Sequence, residues 1–240
     1  MRLALSIAIL LALFGTRASA GETLVLSTGV GPPFATPQHD GFLDRVMAEA
    51  FRRAGARVEI RVHESSERAL INANNGDDDG VVPRIKGLDI QYPNLVRVPE
   101  KVFDNDFVAY SLHHRFATPD WRSLEPYHVA YLIGWKIFEN NLAGHREATA
   151  VKDAGQLFSL LQLERTDVIL YERWQGLWQA RRLGLSIAVM EPPLARQEMY
   201  CYLNRRHASL APAVAAALAA MKRDGSYRRI FDATLTPLAR

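Results

Sequence analysis

The sequence predicts an α/β protein of two lobes, each a mostly parallel sheet flanked by helices, with two strands crossing between them. Three observations carry that expectation. Segments of strand period alternate with segments of helix period from Thr23 onward, the order that builds parallel sheets covered by helices. The alternation breaks after Val82 and starts again after Pro126. A frame is also repeated, with an Asp, an apolar run and a charge five residues on: Asp79 to Arg84 in DGVVPR, and Asp167 to Glu172 in DVILYE.

The chain opens on a segment that is not part of either lobe. Arg2 is followed by the apolar run Leu3–Gly15 and by Ala18-Ser19-Ala20. This is the pattern of a secretory signal with a small-x-small cleavage site, so residues 1–20 are expected to be removed and Gly21 to start the mature chain. The apolar run is shorter than the ~20 residues that span a bilayer. No cysteine lies at the cut, so a lipid anchor is not expected.

In the first lobe, Thr23–Thr28 reads as a strand closed by Gly29-Val30-Gly31-Pro32-Pro33. Asp40 can cap the helix whose apolar stripe is Phe42, Leu43, Val46, Met47, Ala50, Phe51 and Ala54, and Gly55 ends it. Arg57–His63 alternates Val58, Ile60 and Val62 as a strand does. Ser66 can cap the next helix, Gly76 terminates it, and Gly80–Val82 begins another strand. The second lobe repeats the scheme: strand His128–Gly134, short helix Lys136–Leu142, weak strand Ala148–Val151, helix Asp153–Glu164, buried strand Thr166–Tyr171, helix Trp174–Leu183 and strand Leu185–Met190. The crossings fall near 106–112 and 199–203, and the Ala-rich helix Ala211–Arg223 packs back on the first lobe. The lobes are therefore 21–109 plus 203–240, and 110–202. Two strand-like crossings permit hinge bending while resisting free tumbling.

Composition narrows the partners. Lys and Arg total 29 against 26 Asp and Glu; removing residues 1–20 takes away Arg2 and Arg17 and no acids, leaving 27 against 26, about +1. The charges are scattered, so a nucleic-acid partner is not expected. The single cysteine, Cys201, sits in the apolar run Met199–Leu203 and reads as a core residue. Asp77-Asp78-Asp79 lacks the twelve-residue loop and distal Glu of a calcium site. The histidines at 39, 63, 113, 114, 128, 145 and 207 lack metal-ligand spacing. No nucleotide-binding loop or nucleophile elbow is present, so no metal or cofactor is implied.

With these residues in order, the chain resembles the family 3 extracellular solute-binding proteins, which have the type II periplasmic binding fold. The resemblance rests on Pro32-Pro33-Phe34, the Asn75-Gly76…Asp79-Gly80 junction, and Leu210-Ala211-Pro212…Asp224-Gly225-Ser226-Tyr227. It implies a monomeric, periplasmic protein that captures an amino acid or similar small polar solute for an inner-membrane ABC permease. It also admits a sensing protein without a transport role. A departure accompanies the resemblance. Amino-acid-binding members carry a Thr-x-x-Arg element whose Arg clamps the α-carboxylate, and here that place reads IKGLDIQYPNL with no such arginine. Glu172 matches the acidic residue with which those members hold an ammonium, commonly an Asp.

Ligands in open α/β sheets lie beyond the carboxyl ends of the strands, where Arg84 and Glu172 both stand in opposite lobes. Arg84 is expected to hold the acidic end of a solute, as a guanidinium fork suits a carboxylate, and Glu172 the basic end. Alternatively the two charges bridge each other or meet solvent. Phe34 is a candidate apolar wall or a core residue, and Trp135 a second wall beside a helix start that can attract an anion. Tyr110, in the first crossing, can reach the cleft. Trp174 and Trp178 share a helix face and read as core. Asp79 and Asp167 read as structural, capping turns before their strands. The alternative to a binding protein is an enzyme on the same fold, a dehydratase or lyase with Glu172 as general acid or base.

Overall fold

The computed structural model describes residues 23–239; the signal segment expected over 1–20 lies outside them. The first parallel unit is β1 (Thr23–Thr28), α1 (Phe42–Arg53), β2 (Arg57–Val62), α2 (Ser66–Asn75) and β3 (Gly80–Arg84). A short β4 (Leu95–Arg97) and the long β5 (Phe103–Ser111) lead out of it. The second unit is β6 (Val129–Leu132), α3 (Lys136–Asn141), β7 (Ala148–Val151), α4 (Ala154–Gln162) and β8 (Val168–Glu172). α5 (Arg173–Arg182), the two-residue β9 (Ala188–Val189) and the long β10 (Ala195–Asn204) follow, then α6 (Ala211–Arg223) and α7 (Ser226–Thr234).

The two units share one topology. β1 lies between β2 and β3, and β6 lies between β7 and β8, all in parallel. β10 adds antiparallel to β3, and β5 adds antiparallel to β8. This placement puts β3 and β8 inside their sheets, and every residue of both strands is buried, which is why both read as unbroken apolar runs. Helices cover both faces. Phe42, Val46 and Met47 of α1 and Val214 and Leu218 of α6 pack on one side of β1, and Ala69 and Ala73 of α2 pack with Val81 on the other. In the second unit Phe138 and Leu170 lie on one side, with Leu157, Phe158 and Ile169 on the other. Tyr227 and Phe231 of α7 meet the Phe42 ring edge-on at 5.6 and 5.8 Å.

The repeated Asp has the same job twice. Asp79 Oδ2 accepts the Val25 N–H at 2.8 Å and Asp167 Oδ2 accepts the His128 N–H at 2.8 Å. The return bonds run from Asp79 N to Val25 O and from Asp167 N to His128 O. Each carboxylate therefore ties the start of the last strand of its unit to the first strand.

β5 and β10 are the crossings. They pair antiparallel from Phe103↔Met199 to Phe107↔Ala195; beyond that ribbon β10 continues along β3 and β5 along β8. Both strands begin earlier than the 106–112 and 199–203 expected from the sequence, because charged residues occupy one face of the ribbon. Asp104, Asp106, Arg196 and Glu198 alternate with Phe103, Asn105, Phe107, Gln197 and Met199, so one face is charged and the other apolar with two amides. Helix starts also differ by a residue. Ser65, not Ser66, caps α2 by accepting the Arg68 N–H. Asp40 bonds Thr36 instead, and Asp44 reaches back to the Gly41 N–H at the start of α1. No helix of the described residues is long and apolar enough to cross a membrane.

Candidate functional site: the cleft between the lobes

A cavity of about 540 Å³ opens between the lobes over the uncharged face of the ribbon. Its floor is Phe103, Asn105, Phe107, Gln197 and Met199. The first lobe contributes Val30, Phe34, Ser66, Pro83, Arg84 and Ile85; the second contributes Gly134, Trp135, Lys136, Ile137, Asn140 and Gln175. Other hollows of similar size exist, such as one of about 510 Å³ beside Trp121 and His145. That one belongs to a single lobe; hollows of about 520 and 620 Å³ touch both lobes on the charged side of the ribbon and beside α5, and the cleft is set apart from them by its buried Arg84.

Arg84 reaches the cavity from the end of β3 and is 8% exposed. It donates to the carbonyl oxygens of Pro83 and Ser66. No carboxylate of the described residues lies within ion-pair distance of it. A guanidinium has five N–H donors, so the two carbonyl bonds leave part of the fork unused. Burial pulls its pKa down to about 10, which keeps it charged at neutral pH. Ser66 is brought close by Gly29: a Cβ there would stand 2.3 Å from Ser66 N, so the loop after β1 passes the start of α2 only as glycine.

Trp135 supplies an opposite wall. Its ring stacks on Phe138 at 5.6 Å and on Tyr171 at 5.0 Å, and meets Phe107 edge-on at 5.8 Å. Phe34 is 1% exposed and stacks on Phe103 at 4.9 Å; it is both a core ring and a part of the cavity lining. The helix start beside Trp135 holds an anion of its own. Glu139 accepts the Gly134 N–H at 2.7 Å and bonds Lys136 Nζ, so the Gly134 N–H is taken and the Lys136 charge already has a carboxylate beside it.

No family model matches the sequence, and no curated protein matches it. Solved structures do. The GluR0 ligand-binding core in complex with L-glutamate superposes with a TM-score of 0.74 at 12% identity, covering 90% of this chain and 99% of that one. A histidine kinase sensor domain with similarity to periplasmic binding proteins gives 0.70 at 16%, covering 90% and 97%. The second substrate-binding domain of a putative amino acid ABC transporter from Streptococcus pneumoniae gives 0.69 at 14%, covering 89% and 100%. The chain has the two-lobed fold of periplasmic binding proteins. At these identities the likeness establishes the architecture, and the residues of the cleft must speak for themselves.

On this binding-protein fold, Phe34, Arg84 and Trp135 come together around the cavity. Tyr110 and Glu172 do not line it. Tyr110 is wholly buried and donates to the carbonyls of Arg173 and Glu172. Its ring lies so close to α5 that a Cβ on Gly176 would fall 2.4 Å from it. The side chain at this point of β5 faces the helix layer, so position in a crossing strand does not bring it to the cleft. Glu172 is 1% exposed and caps α5, accepting the Gln175 N–H at 2.7 Å through Oε2. Its Oε1 is buried without a hydrogen-bond partner. Burial pushes its pKa up to about 8, against the backbone bonds of Gln175 and Trp174. Arg84 and Glu172 thus occupy equivalent strand ends without facing each other as an ion pair.

Sequence reasoning missed the amides Asn105, Gln197, Asn140 and Gln175. Those of Asn105 and Gln197 were legible in principle. They sit at alternate positions of strands whose intervening residues are all charged, a pattern that marks one face of a ribbon as set apart from solvent.

Proposed function

We propose that the chain is an exported solute-binding protein that closes its two lobes on a small molecule held by Arg84. The observation that carries this reading is the buried, unpaired guanidinium on the wall of a cavity shared by both lobes. Leaving a charge buried and unpartnered is costly, and a ligand carboxylate would relieve that cost. The hinge lies in the ribbon 103–107 with 195–199, which divides the lobes near the bounds 21–109 plus 203–240 and 110–202. A ligand touching both lobes shifts the open and closed populations towards closure. The signal-like residues 1–20 and the resemblance to family 3 binding proteins support a periplasmic location and delivery to an inner-membrane ABC permease; neighbours of the same fold include a substrate-binding domain of a putative amino acid ABC transporter and a histidine kinase sensor domain. The enzyme alternative depends on Glu172 as an acid or base, and that side chain caps α5 and lies off the cavity wall.

The test is a thermal-shift screen followed by calorimetry on the best ligand. Binding to the folded form alone raises the melting temperature by mass action. Arg84→Ala is expected to weaken a carboxylate ligand by 10-fold or more, about 1.4 kcal/mol at least, with the far-ultraviolet spectrum unchanged. Undiminished affinity in the variant would remove Arg84 from the site.

A further inference from the structure

We propose that the cleft selects a small carboxylate with an apolar, ring-bearing body and no ammonium group, so that its ligand is an organic acid and not an amino acid. The inference rests on the solute-binding reading above and concerns the charge the cavity can balance.

Among the described residues that line the cavity, none is an Asp or a Glu. The cations are Arg84, which lacks an acidic partner, and Lys136, which Glu139 already holds. A bound carboxylate would neutralise Arg84 and leave the site balanced. A zwitterion would bring its ammonium into the same space and leave one net positive charge, with no counter-ion on the wall. Burying an uncompensated charge is strongly unfavourable. A phosphate dianion errs the other way, leaving net negative charge beside rings.

The acid at the strand end where an ammonium would be met is withdrawn. Glu172 stands at the strand end equivalent to Arg84, yet its carboxylate lies beneath the wall, tied to the first turn of α5. Raised towards 8 by burial, it is largely uncharged at pH 7. The amides offer polarity without charge. Asn105 and Gln197 face each other across the ribbon, and with Asn140 and Gln175 they carry no side-chain hydrogen bond to another described residue. They can meet a hydroxyl or carbonyl of the ligand. Phe103, Phe107 and Trp135 supply ring surfaces for its body, with Phe34 stacked against Phe103, the pattern of an apolar pocket with a few placed polar groups.

A matched trio isolates the charge at constant shape: 3-phenylpropanoate, L-phenylalanine and 2-phenylethylamine, titrated into the wild-type protein at pH 7 by calorimetry. The expected result is binding of the acid, at least tenfold weaker binding of the amino acid, and none of the amine. L-Phenylalanine binding as tightly as the acid, or tighter, overturns the inference and leaves the solute-binding reading standing. So does a broad thermal-shift panel in which amino acids stabilise the protein and organic acids do not. If no acid or amino acid in that panel raises the melting temperature, the solute-binding reading falls and the inference falls with it.

Discussion

Arg84 and Glu172 show how the same address can give opposite results. Both end a buried central strand, and both are desolvated. The arginine starts so high that a pKa of about 10 still leaves it charged, whereas the glutamate, pushed to about 8, loses its charge near neutrality. Burial therefore leaves a charge at the strand end of one lobe and removes it at that of the other. Stability should register the second case. Glu172 keeps its proton in the folded chain well above the value near 4.5 at which the unfolded chain releases it. Its contribution is complete below that value and is lost as the pH rises through about 8. The slope from this one group is at most about 1.4 kcal/mol per pH unit. After burial, the backbone bonds of Gln175 and Trp174 act on it most and lower the value; the charges of Arg173 and Asp106 follow, of opposite sign. Urea denaturation from pH 5 to 9 is expected to show wild-type stability falling more steeply than that of Glu172→Gln, which cannot ionise. Parallel curves would show that the carboxylate is not protonated in the fold.

At the scale of elements, the repeated Asp was legible because its spacing to the strand end is invariant between the lobes. Its role was only half legible. A turn cap was expected, and each carboxylate instead bonds a backbone N–H of the neighbouring strand. That partner lies 54 residues away for Asp79 and 39 for Asp167, beyond the reach of local pattern. The two should differ in cost. Asp79 also binds Arg206 and His207, while Asp167 has one further partner, His114, at 3.6 Å. Asp79→Ala is expected to destabilise more than Asp167→Ala, each by about 1–3 kcal/mol or more for the stranded backbone donor. Denaturation midpoints decide the order, and an equal or reversed order would contradict it. Helix starts slipped by one residue for a similar reason: adjacent Ser65 and Ser66 can both cap, and tertiary contact with Gly29 and Arg84 assigns Ser66 to the first turn.

At the scale of the whole molecule, the two lobes were legible because hydrophobic period and turn residues repeat in the same order on either side of Pro126. The cleft was legible only in part: Phe34, Arg84 and Trp135 were expected at it and line it, but its floor depends on the register of β5 with β10 and the rest of its walls on which face of each strand end turns inward. Tyr110 shows this: its strand was foreseen, and its side chain points to α5. The ribbon's two faces also place its charges away from the cleft. Asp106 bridges Arg173 and Arg196 on the far side, leaving Arg84 as the unpaired charge of the cleft. The measurement that tests this account most directly is a crystal structure of the protein with the carboxylate that stabilises it best. The expected result is a carboxylate oxygen about 3 Å from the Arg84 guanidinium nitrogens, with the body of the ligand against Trp135. Density for the ligand in another hollow, or in the cleft with its carboxylate turned from Arg84, would contradict it.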